Sequence, residues 1–162
     1  MTRFAEVQHR EWINAPVDTV RSQFADLQHH IDTNVHPKLR FELLSSGVRR
    51  ARFVQEVRLL GIRQRDVFER EVADDGSIRD RSVEGFNKGG SLDFGFVPER
   101  GGTRVDITIR LPMPGPMFLL RPLLEAQVRR EVRAAALEDK HDIENRGYAL
   151  RKAAAGGRLA VA

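Results

Sequence analysis

Between Lys38 and Leu111 apolar residues recur at every second position, and the gaps between these runs are too short to hold a crossover helix. Leu39, Phe41 and Leu43 share one face of a strand, and Ala51, Phe53, Val57 and Leu59 share one face of the next. Ser45 to Gly47, Asp74-Asp75-Gly76-Ser77 and Arg100-Gly101-Gly102 carry the residues that tight turns need. Strands joined by such turns pair antiparallel, so this stretch predicts a meander of about six strands whose apolar face must be covered.

The cover follows in Pro114–Gly147. Met117, Leu120, Leu124, Val128, Val132 and Ala135 recur at steps of three and four, the stripe of an amphipathic helix. Pro122 places the regular helix near Arg121, with Met117 to Leu120 as a looser first turn. Ahead of the meander, Phe4 to Ile13 reads as a first strand. Val17, Val20, Phe24 and Leu27 then give a short helix after Pro16, and Gln28 to Pro37 gives a second. The order is strand, two short helices, meander, long helix: one α+β domain over 1–147, with 148–162 expected to be a flexible tail.

Composition narrows the function classes. The chain has no cysteine, which excludes disulfides and thiolate metal sites. Its net charge of +4 would suit nucleic acid, but the arginines are interleaved with acids, as in Glu69-Arg70-Glu71. One Trp and one Tyr offer few platforms for base stacking, so nucleic acid is not the expected partner. Neither a signal-like start nor a run long enough for a membrane span is visible, which points to the cytoplasm. Oligomeric state is not legible.

Several residues are candidates for a site. Phe41, Phe53, Phe68, Phe86, Phe94 and Phe96 fall on inward phases, with Ile107 on the last strand and Leu120, Arg121, Leu124 and Val128 along the helix. They either fill a core or line a pocket for a small hydrophobic molecule. Asp66, Arg70, Ser82 and Glu84 sit in phase with apolar neighbours, which implies a hydrated pocket unless a bulge turns them outward. In a pocket, Asp66, Arg70 and Glu84 could act as general acid or base. A second constellation joins His29, His30 and His36 to Glu138-Asp139, because two imidazoles and one carboxylate make the facial triad of non-haem iron. Glu138-x-x-His141 is half of a di-iron motif without a second copy.

Trp12-Ile13-Asn14-Ala15-Pro16-Val17 with Val20 and Phe24, the meander, and Pro114-Gly115-Pro116 leading to a helix with Leu137, Lys140, Ile143 and Glu144 together resemble the helix-grip (SRPBCC) superfamily. That group includes START domains, birch-pollen-allergen-like (Bet v 1-like) proteins and bacterial polyketide cyclases. The resemblance implies a seven-stranded antiparallel sheet wrapped around the C-terminal helix, enclosing a cavity for a lipid, sterol, polyketide or aromatic molecule, with no cofactor. The histidine segment and the late helix also resemble pieces of the catalytic domain of Rieske-type ring-hydroxylating oxygenases. There the matching positions His30, His36 and Asp139 would hold Fe(II), although the histidine spacing here is one residue longer and no cysteine can hold an iron–sulfur cluster. Hydrophobic-ligand binding is therefore the expected function. The alternatives are a cyclase or dehydratase, an iron oxygenase, or a protein-interaction module.

Overall fold

A computed structural model describes residues 2–154. The elements are β1 (Arg3–Ile13), α1 (Val17–Ala25), α2 (Leu27–Asp32), β2 (Arg40–Ser46), β3 (Arg50–Leu59), β4 (Ile62–Val72), β5 (Ile78–Gly85), β6 (Ser91–Glu99), β7 (Gly102–Met113), α3 (Arg121–Glu144) and α4 (Tyr148–Ala154). A 3₁₀ turn, Gly115–Leu120, precedes α3. The seven strands form one antiparallel sheet in the order β1-β7-β6-β5-β4-β3-β2, so β1 returns to pair with the last strand and the two short helices span the gap.

Alternation decides which residues face the helix. In β7, Val105, Ile107, Ile109 and Leu111 are buried in phase, opposite Ala5 and Val7 of β1. From α3 the stripe Leu124, Val128, Val132, Ala136 and Ile143 packs into the same core. Trp12 ties the edge strand down: its indole donates to the Glu99 carbonyl at 2.8 Å, and Lys140 of α3 lies 5.3 Å from the ring centroid. Among the described residues, no helix is long and apolar enough to cross a membrane.

Two departures from the sequence expectation follow from local geometry. The β4–β5 register runs Val67↔Glu84 and then Phe68↔Ser82, leaving Val83 as an extra residue. This bulge turns Glu84 outward, where it pairs with Arg52 at 2.7 Å, and leaves Phe86 in the next turn 48% exposed. Likewise, the 3₁₀ turn winds more tightly than an α-helix, so Leu120 falls off the buried stripe. Arg121 instead caps Phe118 and pairs with Glu125 at 2.7 Å. None of these four borders the cavity.

The expected tail is also helical at its start. Tyr148 is fully buried, within 3.2 Å of the Ser22 hydroxyl and donating to Asp26 at 3.0 Å. The remainder of that tail, 155–162, lies outside the described residues.

Candidate functional site

The site begins at α2. Asp26 caps this helix by accepting the His29 amide at 3.0 Å, which sets His29 and His30 on consecutive positions of a rigid turn. Asn34 then adopts φ 50, a left-handed conformation that asparagine tolerates, and the chain reverses toward Pro37. The reversal brings His36 beside His30, with ring centroids 5.2 Å apart. From the other side α3 presents Glu138 and Asp139 near its end.

Asp139 is the hub. Its Oδ1 lies 3.0 Å from His30 Nε2 and 3.4 Å from His36 Nε2, and accepts the Gln23 amide at 3.0 Å. One donor atom each from His30, His36 and Asp139 all lie within 4.8 Å of one another, and all three residues are buried. Burial opposes charge on both partners, but their attraction and hydrogen bonds outweigh it. The Asp139 charge, with bonds to Asp139 and Glu138, raises His36 to about 10, while His36 and His30 hold the Asp139 carboxyl far below its ordinary range.

A second layer holds this cluster. Asp142 accepts from Gln23 at 3.2 Å and from Arg151 at 2.8 Å, and sits 2.7 Å from His29 Nε2. Tyr148 packs edge-on against His29, with ring centroids 4.7 Å apart.

Beyond the cluster lies a cavity in two compartments. The first, about 100 Å³, runs from His30, His36 and Asp139 past Phe24, Phe41, Phe53, Phe94 and Ile107 to Arg70 and Asp80. Arg70 is not a free cation there. It makes a buried two-pronged pair with Asp80 at 2.7 Å per contact and donates to the Phe24 carbonyl at 2.9 Å. The second compartment, about 130 Å³, is bordered by Asp66, Phe68, Asn87, Leu111 and Val128, with Lys38 and Glu131 facing each other at 3.7 Å. Leu39, Gln55, Leu92, Ile109, Val132 and Ala135 border both compartments, which therefore lie side by side.

Of the sequence candidates, Phe96 and Leu124 are buried in core packing, Phe96 edge-on to Phe24 at 5.4 Å between centroids. Ser82 is buried against Asp66 at 3.2 Å. Asp66, Arg70 and Glu84 do not form one acid/base set: Asp66 borders one compartment, Arg70 the other, and Glu84 lies outside. Sequence reasoning missed Gln23, Gln55 and Asp80. Asp80 sits in phase with Ile78 and Ser82, and Gln23 stands three residues after Val20, so the signal for both was position on an apolar face.

No family model and no curated protein matches the chain. Solved structures do. TTHA0849 from Thermus thermophilus is 24% identical, with a TM-score of 0.79 over 88% of this chain and 99% of that one. The Zhui aromatase/cyclase from Streptomyces sp. R1128 is 19% identical, with a TM-score of 0.73 over 90% and 99%. A START superfamily protein from Mycobacterium smegmatis is 16% identical, with a TM-score of 0.64 over 82% and 94%. The chain has the helix-grip fold that these proteins share.

Proposed function

We propose that this helix-grip chain binds a small, ring-containing hydrophobic molecule between its sheet and α3, with a polar group of that molecule turned toward His30, His36 and Asp139. The observation that carries this reading is a pair of adjacent, largely apolar compartments, one of which ends in a buried cluster of histidine and carboxylate. A cavity of about 150 Å³ in another protein accommodates benzene, so adjacent compartments of about 100 and 130 Å³, each somewhat smaller than that, are on the scale of a small ring system rather than a long acyl chain. Burying on the order of 250 Å² of a two-ring molecule contributes about 6 kcal/mol before ordering costs, which corresponds to affinities of tens of micromolar or weaker. The Zhui aromatase/cyclase among the structural neighbours agrees with such a ligand. In a fluorescence titration with 2-methylnaphthalene, the wild type should saturate. Ala135→Trp, which fills the border between the compartments, should lose at least tenfold in affinity while keeping its circular dichroism spectrum. No saturation, or equal binding by both proteins, would remove this reading.

A second reading adds a metal ion, and a specific observation favours it. His30 Nδ1 lies 2.8 Å from the Asp26 carbonyl, and His36 Nδ1 lies 2.8 Å from Glu138 Oε2. Both partners are pure acceptors, so each Nδ1 carries a hydrogen, and in a neutral ring each Nε2 is then a lone pair. In the metal-free protein a proton on His36 Nε2 faces Asp139; a cation that displaced the Nε2 protons would meet two lone pairs and a carboxylate oxygen at one buried point. The Glu138 contact also matches the carboxylate support usual behind metal-bound histidine. His30, His36 and Asp139 would be the ligands. Fe(II) held by such a set keeps open positions for oxygen and a substrate, and the apolar cavity begins beside it. Tag-free protein titrated with Co(II) should bind one equivalent, with visible bands absent in His36→Ala. Equal binding by both would sink the metal reading while leaving the cavity reading in place.

A further inference from the structure

The second compartment contains a carboxylate that no basic group neutralises. Asp66 is 2% exposed, and among the described residues no Lys, Arg or His side chain forms an ion pair with it. Its Oδ1 accepts the Asn87 backbone amide at 2.6 Å and the Ser82 hydroxyl at 3.2 Å. Among the described residues its Oδ2 accepts only the Asn87 side-chain amide, at 2.8 Å. A carboxylate oxygen has room for two donors, so Oδ2 keeps one acceptor position. Both hydrogens of the Asn87 side-chain amide are used, one on Asp66 Oδ2 and one on Gln64 Oε1 at 2.8 Å, so Asn87 has no second donor for Oδ2.

The carboxylate is also rigidly aimed. Gly85 has φ +111, and a Cβ there would lie 2.2 Å from the Arg65 carbonyl and 2.8 Å from Asp66 Oδ1, so only glycine lets the turn close this tightly on Asp66. Bracing the turn accounts for Oδ1. It does not account for the acceptor position left on Oδ2 of a buried carboxylate that borders a largely apolar compartment.

We propose that Asp66 accepts a hydrogen bond from a hydroxyl on the bound molecule, at the end remote from His30, His36 and Asp139. The ligand class is then a hydroxylated, phenol-like ring system spanning both compartments, rather than a hydrocarbon or an ether. This rests on the ligand-binding reading above. A charge-assisted hydrogen bond of this kind corresponds to about a tenfold preference for hydroxyl over a group of similar size that cannot donate.

Isothermal titration with 2-naphthol, 2-methylnaphthalene and 2-methoxynaphthalene tests it. Wild type should prefer 2-naphthol about tenfold over both others. Asp66→Asn should compress that preference to less than threefold while still binding 2-methylnaphthalene. Affinities within twofold of one another in the wild type would overturn the Asp66 proposal and leave the cavity reading intact; no binding of any probe would overturn both. A naphthol preference that survives Asp66→Asn would reassign the acceptor and so overturn the proposal. Should that variant fail to fold, the Asp66 carboxyl ¹³C resonance of the wild type decides. It should move with 2-naphthol and stay in place with 2-methoxynaphthalene, and the same shift with both would overturn the proposal.

Discussion

Asp139→Ala is expected to destabilise the metal-free protein by about 3–5 kcal/mol, because it leaves buried partners without their counter-charge. His30, His36 and Gln23 all converge on the lost carboxylate. For a chain of this size the melting temperature should fall by roughly 10 °C. Asp139→Asn, which keeps the shape and one acceptor, should fall less. The effect has a defined pH window. His36 is raised from 6.5 to about 10, so its contribution is complete below 6.5 and is lost as pH rises through about 10. Asp139 is lowered from 3.8, so its contribution is present above 3.8 and is lost as pH falls toward the folded value. The gap in melting temperature between wild type and Asp139→Ala should therefore be widest between 3.8 and 6.5 and narrow on both sides. A gap that stays constant from acid to alkaline pH would contradict the assignment of these groups.

Tyr148→Ala should produce a loss of similar size, about 3–5 kcal/mol, through a cavity at a site with 0% exposure. Tyr148→Phe keeps the ring against His29 and removes only the hydroxyl contacts to Ser22 and Asp26. It should cost about 1–2 kcal/mol. Burial and the neighbouring Asp26 carboxylate push the Tyr148 hydroxyl above its ordinary range, so it remains a donor through neutral and moderately alkaline pH. Thermal melts of the two variants check the ratio, and equal losses would mean that ring packing contributes little.

The meander and the long helix were legible because period two and period 3.6 are imposed by burial on one face, and the turns carried their own residue signature. Glu84 and Phe86 were misplaced because one extra residue, Val83, shifts the phase of a strand and leaves no mark in composition. Leu120 and Arg121 were misplaced by the change from 3₁₀ to α winding at the start of α3. At the candidate site, residue type pointed to His29, His30, His36 and Glu138-Asp139, and the resemblance to ring-hydroxylating oxygenases narrowed these to His30, His36 and Asp139. What brings them together is the left-handed Asn34, a backbone choice that periodicity cannot register. Tyr148 was hidden by its alanine-rich, terminal surroundings, although a lone aromatic there is what a buried anchor looks like in sequence.

Trp12 is the only tryptophan in the chain, and it sits where β1 meets α3, with Lys140 over its ring. The residue next to Lys140 in sequence, Asp139, belongs to the histidine cluster. The molecule thus carries a built-in optical gauge of how firmly the helix is seated. A change in indole emission on adding a ligand would report displacement of the helix, and a silent indole alongside measured binding would mean that the cavity fills without the grip loosening.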